Sequence, residues 1–216
     1  VSSGAFHAGG SLATARYGAG GAGTQTAGLV IGGNVGPSDT PSALVEEYNG
    51  TGFSAGGALP TATRSLATAG TQTAAFAAGG YTTANIAEAY TYDGSSWTAI
   101  PDLAVARRSL TQMGSGTTTA GLVVGGLVEP PYLNNSEEWN GSAWAEGNNL
   151  NTARSDGGSA GVQTATIMAG GNTGSVTNAS ETYDGTSWTE GNNLNTSRKG
   201  LGAVGTTSAA AVIGGR

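Results

Sequence analysis

EEYNGTGFSAGGALPTATR, residues 46–64, returns as EEWNGSAWAEGNNLNTAR at 137–154 and more loosely as ETYDGTSWTEGNNLNTSR at 181–198. A phrase that recurs at a fixed spacing marks a repeat architecture, in which each unit buries its apolar face only by stacking on its neighbours. Aligning the chain on paired glycines preceded by an apolar run gives AGLVIGG ending at Gly33, AAFAAGG at Gly80, AGLVVGG at Gly126, ATIMAGG at Gly171 and AAVIGG at Gly215. The unit is about 45 residues long. An aromatic recurs at Phe6, Phe53, Trp97, Trp144 and Trp188, and an arginine at Arg16, Arg64, Arg107 or Arg108, Arg154 and Arg198.

Within a unit the local chemistry predicts strands. β-Branched and small apolar runs stop at paired glycines, and Asn49-Gly50, Asp93-Gly94, Asn140-Gly141 and Asp184-Gly185 fall between two further short runs, as expected of two-residue hairpin turns. Each unit thus offers four short strands: after the Arg, up to Gly-Gly, up to the Tyr or Trp before the turn, and from the Phe or Trp after it. No segment keeps a helical period. The expected class is all-β.

Gly-Gly, an aromatic about 15 residues on, a Trp five residues later and then Arg resemble the kelch motif of galactose-oxidase-type β-propellers, across the whole chain. The units here are shorter than is usual for that family and richer in Ala, Thr and Gly. The resemblance implies a five-bladed propeller forming one domain over 1–216, with units at 16–58, 59–101, 102–149, 150–193 and 194–216 joined to 1–15. One blade would be shared by the termini, because VSSGAFHAGGSLATAR at 1–16 matches YNGTGFSAGGALPTATR at 48–64. Nothing after Arg216 corresponds to NVGPSDTPSALVEE at 34–47. The fifth blade then has three strands, lacks a lost piece, or receives a strand from a neighbouring molecule.

Composition narrows the function classes. Gly is 39 of 216 residues and only 10% are charged, yet aromatic and β-branched residues recur at fixed places, which argues for order. A net charge of −6 with no basic stripe argues against nucleic acid as a partner. No apolar run reaches the roughly 18 residues of a spanning helix, so no membrane insertion is expected. The chain has no Cys and a single His, His7, which excludes thiolate metal sites, multi-histidine metal sites and a His-based triad partner within one chain. The copper chemistry that the resemblance brings to mind needs a Cys-linked Tyr and His ligands, and is excluded with them. Spacing singles out no acid and base pair among Asp156, Glu129 and Glu146. The expectation is a non-enzyme with no catalytic residue, no metal and no cofactor.

The recurrent residues read as structure. Arg16, Arg64, Arg107, Arg154 and Arg198 are expected to bond backbone carbonyls or a Glu, with Glu46, Glu137 and Glu181 standing two before the turn aromatic and Glu88 displaced. Phe6, Phe53, Trp97, Trp144 and Trp188 are expected to fill the space between blades. The polar TQTA stretches, with Gln163 in the same register, are expected to line a central channel. Off the repeat, VEPPYLNN offers a candidate binding loop of Glu129, Tyr132 and Asn134, with Tyr81 and Tyr17 as weaker members of the same class. Asn49, Asn134, Asn140, Asn178 and Asn195 head Asn-x-Ser/Thr sequons that would carry glycans in a secreted eukaryotic chain.

These readings lead to a structural or adhesive binding module of an extracellular or virion surface. Its partners would be copies of itself, as a homo-oligomer, filament or fibre, or a larger surface assembly, with strand addition at the incomplete blade. A glycan-binding, lectin-like propeller is the second expectation. An intracellular adaptor is disfavoured by the scarcity of Lys and Arg.

Overall fold

The computed structural model describes residues 9–110 and 116–216; Phe6 and His7 lie outside them. The chain is all-β, in six small antiparallel sheets. The first repeat carries β1 (Arg16–Tyr17), β2 (Gly20–Thr24), β3 (Ala27–Ile31), β4 (Asn34–Val35), β5 (Thr40–Pro41), β6 (Val45–Tyr48) and β7 (Phe53–Ala55). The second carries β8 (Ala67–Thr71), β9 (Ala74–Tyr81), β10 (Asn85–Tyr92) and β11 (Trp97–Ile100). The third carries β12 (Gly121–Val124), β13 (Ser136–Trp139) and β14 (Trp144–Gly147). The fourth carries β15 (Gly158–Val162), β16 (Ala165–Ala169), β17 (Ser180–Tyr183) and β18 (Trp188–Glu190), and the fifth β19 (Leu201–Thr206) and β20 (Ala209–Gly214).

Each main sheet is an up-and-down meander in chain order: β2-β3-β6-β7, β8-β9-β10-β11, β12-β13-β14, β15-β16-β17-β18 and β19-β20. The sixth sheet, β1-β4-β5, is a clip of two-residue strands that holds the loop after Gly33. β10 departs from the pattern with a register shift between Ile86 and Ala89, which displaces Glu88.

The hairpins between third and fourth strands are four-residue loops rather than the expected two-residue turns, since Tyr48 faces Phe53, Tyr92 faces Trp97, Trp139 faces Trp144 and Tyr183 faces Trp188. The Asn or Asp side chain shapes the loop. Asp93 Oδ1 accepts from the Ser95 and Ser96 amides at 2.9 and 2.8 Å, and Asn140 Oδ1 from the Ser142 and Ala143 amides at 2.9 Å each. Such side-chain acceptors mimic a backbone turn, so only the following Gly needs a positive φ.

Successive repeats are joined by backbone hydrogen bonds at two recurring places. The second glycine of each pair donates to the next repeat: Gly33 to Thr63 O, Gly80 to Arg107 O, Gly126 to Arg154 O and Gly171 to Arg198 O, all at 2.8–2.9 Å. A second relay links residues that share the left-handed conformation, with φ of 63° at Gly18, 53° at Ser65, 52° at Ser109, 55° at Asp156 and 68° at Gly200. In it the Ser65 amide donates to Gly18 O, Ser109 to Ser65 O, Asp156 to Ser109 O and Gly200 to Asp156 O. All five of these residues line one cavity of about 330 Å³. Among the described residues no backbone hydrogen bond joins Gly200 back to Gly18.

The apolar core is split between seams. One cluster lies where the first sheet meets the second, with Leu29, Ile31, Leu66 and Tyr92; the other runs through the second to fourth sheets, with Phe76, Leu122, Met168 and Tyr183. No helix among the described residues is long and apolar enough to cross a membrane.

Gly80 has a φ of 114°, and a Cβ there would lie 2.7 Å from the Arg64 carbonyl oxygen. Gly80→Ala therefore combines backbone strain with a backbone clash and is expected to cost about 2–4 kcal/mol in chemical denaturation. Gly52→Ala, where a Cβ meets open space, serves as the near-neutral control.

Candidate functional site

Three of the repeated arginines, Arg16, Arg107 and Arg154, occupy buried slots where both terminal nitrogens are bonded, while Nε of Arg16 and of Arg107 meets no partner among the described residues. Arg154 is 1% exposed; its Nη2 donates to Glu181 Oε1 at 2.7 Å and its Nη1 to the carbonyls of Gly170 and Ala179 at 3.3 and 2.9 Å. Arg107 repeats the arrangement with Glu137 at 2.5 Å and the carbonyls of Gly125 and Asn135, and Arg16 pairs with Glu46 at 2.8 Å. The second carboxylate oxygen of each Glu accepts a backbone amide upstream of its Arg: Ala13, Ala104 and Asn151, each at 2.7 Å. Burial pulls the Arg107 and Arg154 guanidinium groups down from their ordinary value while Glu137 and Glu181 hold them up.

Arg64 does not share this slot. Thr63, 3% exposed, stands there instead, because the left-handed Ser65 aligns with Ser109 two positions after Arg107. Tyr90 takes the place of the paired Glu, and its hydroxyl contacts Glu88 at 2.5 Å and Thr61 at 3.1 Å. Arg64 aligns instead with Arg108. Both guanidinium groups lie against the Tyr81 ring, at 4.7 and 4.8 Å from its centroid.

The expected seam aromatics sit close to their predicted role. Trp97 Nε1 donates to Gly57 O at 2.9 Å and Trp144 Nε1 to Pro101 O at 3.0 Å, each reaching the preceding repeat. Phe53, Trp97 and Trp144 are only half-buried, whereas the rings before the turn, Tyr92, Trp139 and Tyr183, are at most 3% exposed and were not singled out from sequence. Tyr92 and Tyr183 bond carboxylates of the preceding repeat, Glu47 at 2.6 Å and Glu138 at 2.5 Å. Burial first, and then those carboxylates, push both phenols up. Gln72 and Gln163 do not line a channel: each donates to two carbonyls of the preceding repeat, Gly28 and Tyr48, and Gly121 and Trp139.

The three residues of the candidate binding loop do not converge. Asn134 turns inward and donates to Leu150 O at 3.1 Å, while Glu129 pairs with Arg108. Tyr132 stays half-buried, bridged to Leu127. Asn178 mirrors Asn134, donating to Leu194 O at 2.9 Å, so in both sequons the nitrogen that a glycan would take is already engaged. Asn49, Asn140 and Asn195 are exposed.

Two surface features gather polar groups. The first is the mouth of the shared cavity, where Tyr17, Ser65, Asp156, Lys199 and Arg216 line a recess of about 500 Å³. Every basic residue outside the buried slot and its fifth-repeat counterpart belongs to this repeat position or pairs with it: Arg64, Arg108, Lys199 and Arg216. The second is a pair of equivalent clefts between consecutive sheets. Thr73, Thr91, Asp93 and Thr98 line one of about 380 Å³, and Thr164, Thr182, Asp184 and Thr189 line the other, of about 480 Å³. Among the described residues no three His, Asp or Glu side chains cluster as metal ligands would.

Comparison with protein-family models and with curated proteins found no match.

Arg107→Ala leaves Glu137 buried with an uncompensated charge and is expected to cost about 3–5 kcal/mol by denaturant titration, against a smaller loss of about 1 kcal/mol for Arg108→Ala, whose side chain is 16% exposed and whose partner Glu129 is 65% exposed. Hydrogen bonds from Ser96 and Ser95 hold the Asp93 carboxyl down at about 2, below its ordinary 3.8. Its contribution to stability is therefore present above pH 4 and lost as pH falls towards 2. Asp93→Asn keeps the acceptor, as Asn140 does, without titrating, and should lessen the drop in Tm between pH 4 and pH 2.

Proposed function

We propose that the chain is a five-bladed, kelch-like β-propeller that serves as a non-enzymatic structural or adhesive module of an extracellular or virion surface. Convergence of five equivalent residues on one cavity supports the radial reading, since a linear stack would not return its first and fifth repeats to a common space. The N-terminal segment adds to it. Gly9 lies against the Tyr48 hydroxyl as Gly56 lies against that of Tyr92, the place of the end of a fourth strand belonging to the blade before the first.

The observation that carries the assembly role is a weakly charged surface: only 10% of residues are charged, and Arg16, Arg107 and Arg154 are buried against Glu46, Glu137 and Glu181. Such a surface opposes contact between copies with little electrostatic repulsion. Sedimentation velocity and negative-stain electron microscopy over a concentration series should show oligomers or filaments that grow with concentration, and new charge at the exposed apolar sites, Leu44→Lys with Val162→Lys, should suppress them while leaving the fold intact. A monomer at every concentration that attaches to no surface particle would overturn the reading.

The paired inter-sheet clefts favour a second reading, glycan binding. Threonine hydroxyls and a carboxylate repeat there at matching positions, as separate shallow sugar sites would require. A glycan-array signal from the monomer that Thr182→Ala weakens would select it over assembly.

A further inference from the structure

We infer that the exposed hairpin loops at Asn49-Gly50 and Asn140-Gly141 are sites of spontaneous covalent modification. In each, the asparagine loses ammonia and becomes the aspartate that the second and fourth repeats already carry at that place, and the loop accepts the product.

The four hairpin loops alternate along the chain. Asn49 and Asn140 open the loops of the first and third repeats, Asp93 and Asp184 those of the second and fourth, each before a glycine whose φ lies between 91° and 96°. The side-chain oxygen plays the same part in both kinds. Asn49 Oδ1 accepts from the Thr51 and Gly52 amides at 3.0 Å each and from the Thr51 hydroxyl at 2.8 Å, while Asp184 Oδ1 accepts from the Thr186 and Ser187 amides at 2.8 and 2.7 Å. An aspartate formed at Asn49 or Asn140 therefore finds its donors in place.

In the first step the Gly141 amide nitrogen attacks Asn140 Cγ and closes a five-membered succinimide. The Cγ–Nδ2 bond breaks, and Nδ2 leaves as ammonia with the proton from the Gly141 nitrogen. Water then opens the ring: cleavage of the new Cγ–N bond gives aspartate, and cleavage of the bond from the main-chain carbonyl carbon to the Gly141 nitrogen gives isoaspartate. Three conditions favour this course, and both loops meet them. The attacking nitrogen belongs to a residue without a side chain to crowd it. Both asparagines are exposed to the water that the second step consumes. Among the described residues neither Nδ2 donates a hydrogen bond, since only Oδ1 is engaged.

Other asparagines lack one condition or another. The Nδ2 groups of Asn85, Asn134 and Asn178 are held by the carbonyls of Leu127, Leu150 and Leu194. Asn195 is exposed but precedes Thr196, whose β-branch crowds the attacking nitrogen.

Each conversion adds a negative charge to a formal net charge of −6. Loop donors of the same kind hold the Asp93 carboxyl down at about 2, and a charged acceptor is bonded more strongly than a neutral one. Aspartate thus keeps the hairpin at least as firmly closed at neutral pH, and that gain is lost as pH falls towards 2. Isoaspartate instead lengthens the loop backbone and moves the acceptor away from its donors.

The test holds the full chain, folded, for weeks in mildly alkaline buffer made with heavy-oxygen water, followed by digestion in ordinary water and peptide mapping by mass spectrometry. Asn49 and Asn140 are each expected to take up one heavy oxygen. They should do so about tenfold or more faster than Asn134 and Asn178, which must first break a hydrogen bond. They should also outpace Asn195. Asn140→Asp should remove one of the two events, leave Asn49 converting at its former rate, keep Tm at neutral pH and steepen its fall between pH 4 and pH 2. No heavy oxygen at either site, conversion of Asn134, Asn178 or Asn195 as fast as Asn140, or a lower Tm for Asn140→Asp at neutral pH would each overturn the inference.

Discussion

Arg154 ties its repeat together with its side chain and ties that repeat to its neighbour with its backbone. The guanidinium gathers two carbonyls and a carboxylate from β16, β17 and their flanks, while its carbonyl accepts the Gly126 amide of the repeat before. Carbonyls and a carboxylate that pack against one another under apolar strands need donors, because an unpaired buried acceptor is costly. One planar side chain with five N–H groups meets several of them at once, which Lys does not. The buried pair adds little net stability over an apolar substitute of the same shape, and its value lies in fixing one arrangement of loop, strand and neighbour.

Seam chemistry also accounts for the composition. Neighbouring sheets meet through their first strands, β2 against β8 and β15 against β19. At Gly20 a Cβ would stand 2.3 Å from Thr68 Cγ2, so the strands approach more closely there than any side chain permits. Small residues belong where the sheets converge, and the large rings of Tyr92, Trp139 and Tyr183 lie further along the same seams. Tyr92 and Tyr183 join their sheets to the one before through Glu47 and Glu138, while Trp139 Nε1 bonds Thr118 O within its own repeat. Apolar burial is thereby distributed among interfaces instead of collected in one core, as nearest-neighbour repeat proteins distribute it.

Strand order, the recurrent Arg–Glu relationship and the position of the turns were legible in the sequence because each is written in residue type at fixed spacing. Other features were not. Arg64 looks like a member of the arginine series by letter, but Ser65 sets the register through its backbone conformation, and a positive φ in a non-glycine residue leaves no mark in sequence. The rings before the turn are more deeply buried than the tryptophans after it, although tryptophan is the larger and louder signal. The loop around Tyr132 looked like a binding insert, yet Asn134 there repeats the inward bond of Asn178, which only the three-dimensional alignment of the two repeats reveals.

Internal repetition gives each position several copies of its own control, so departures from the pattern are the informative places. In the second repeat the Arg and Glu of the buried slot are replaced by Thr63 and Tyr90, and the arginine next in line stands against the Tyr81 ring beside Arg108. That departure is compensated: Tyr90 satisfies its hydroxyl on Glu88 and Thr61, and β10 absorbs the change with a bulge. The arginine shifted out of the slot shares the Tyr81 ring with Arg108, whose own charge is met by Glu129 and Asn85. The slot thus tolerates loss of its ion pair where hydroxyl groups with partners of their own replace both charges together.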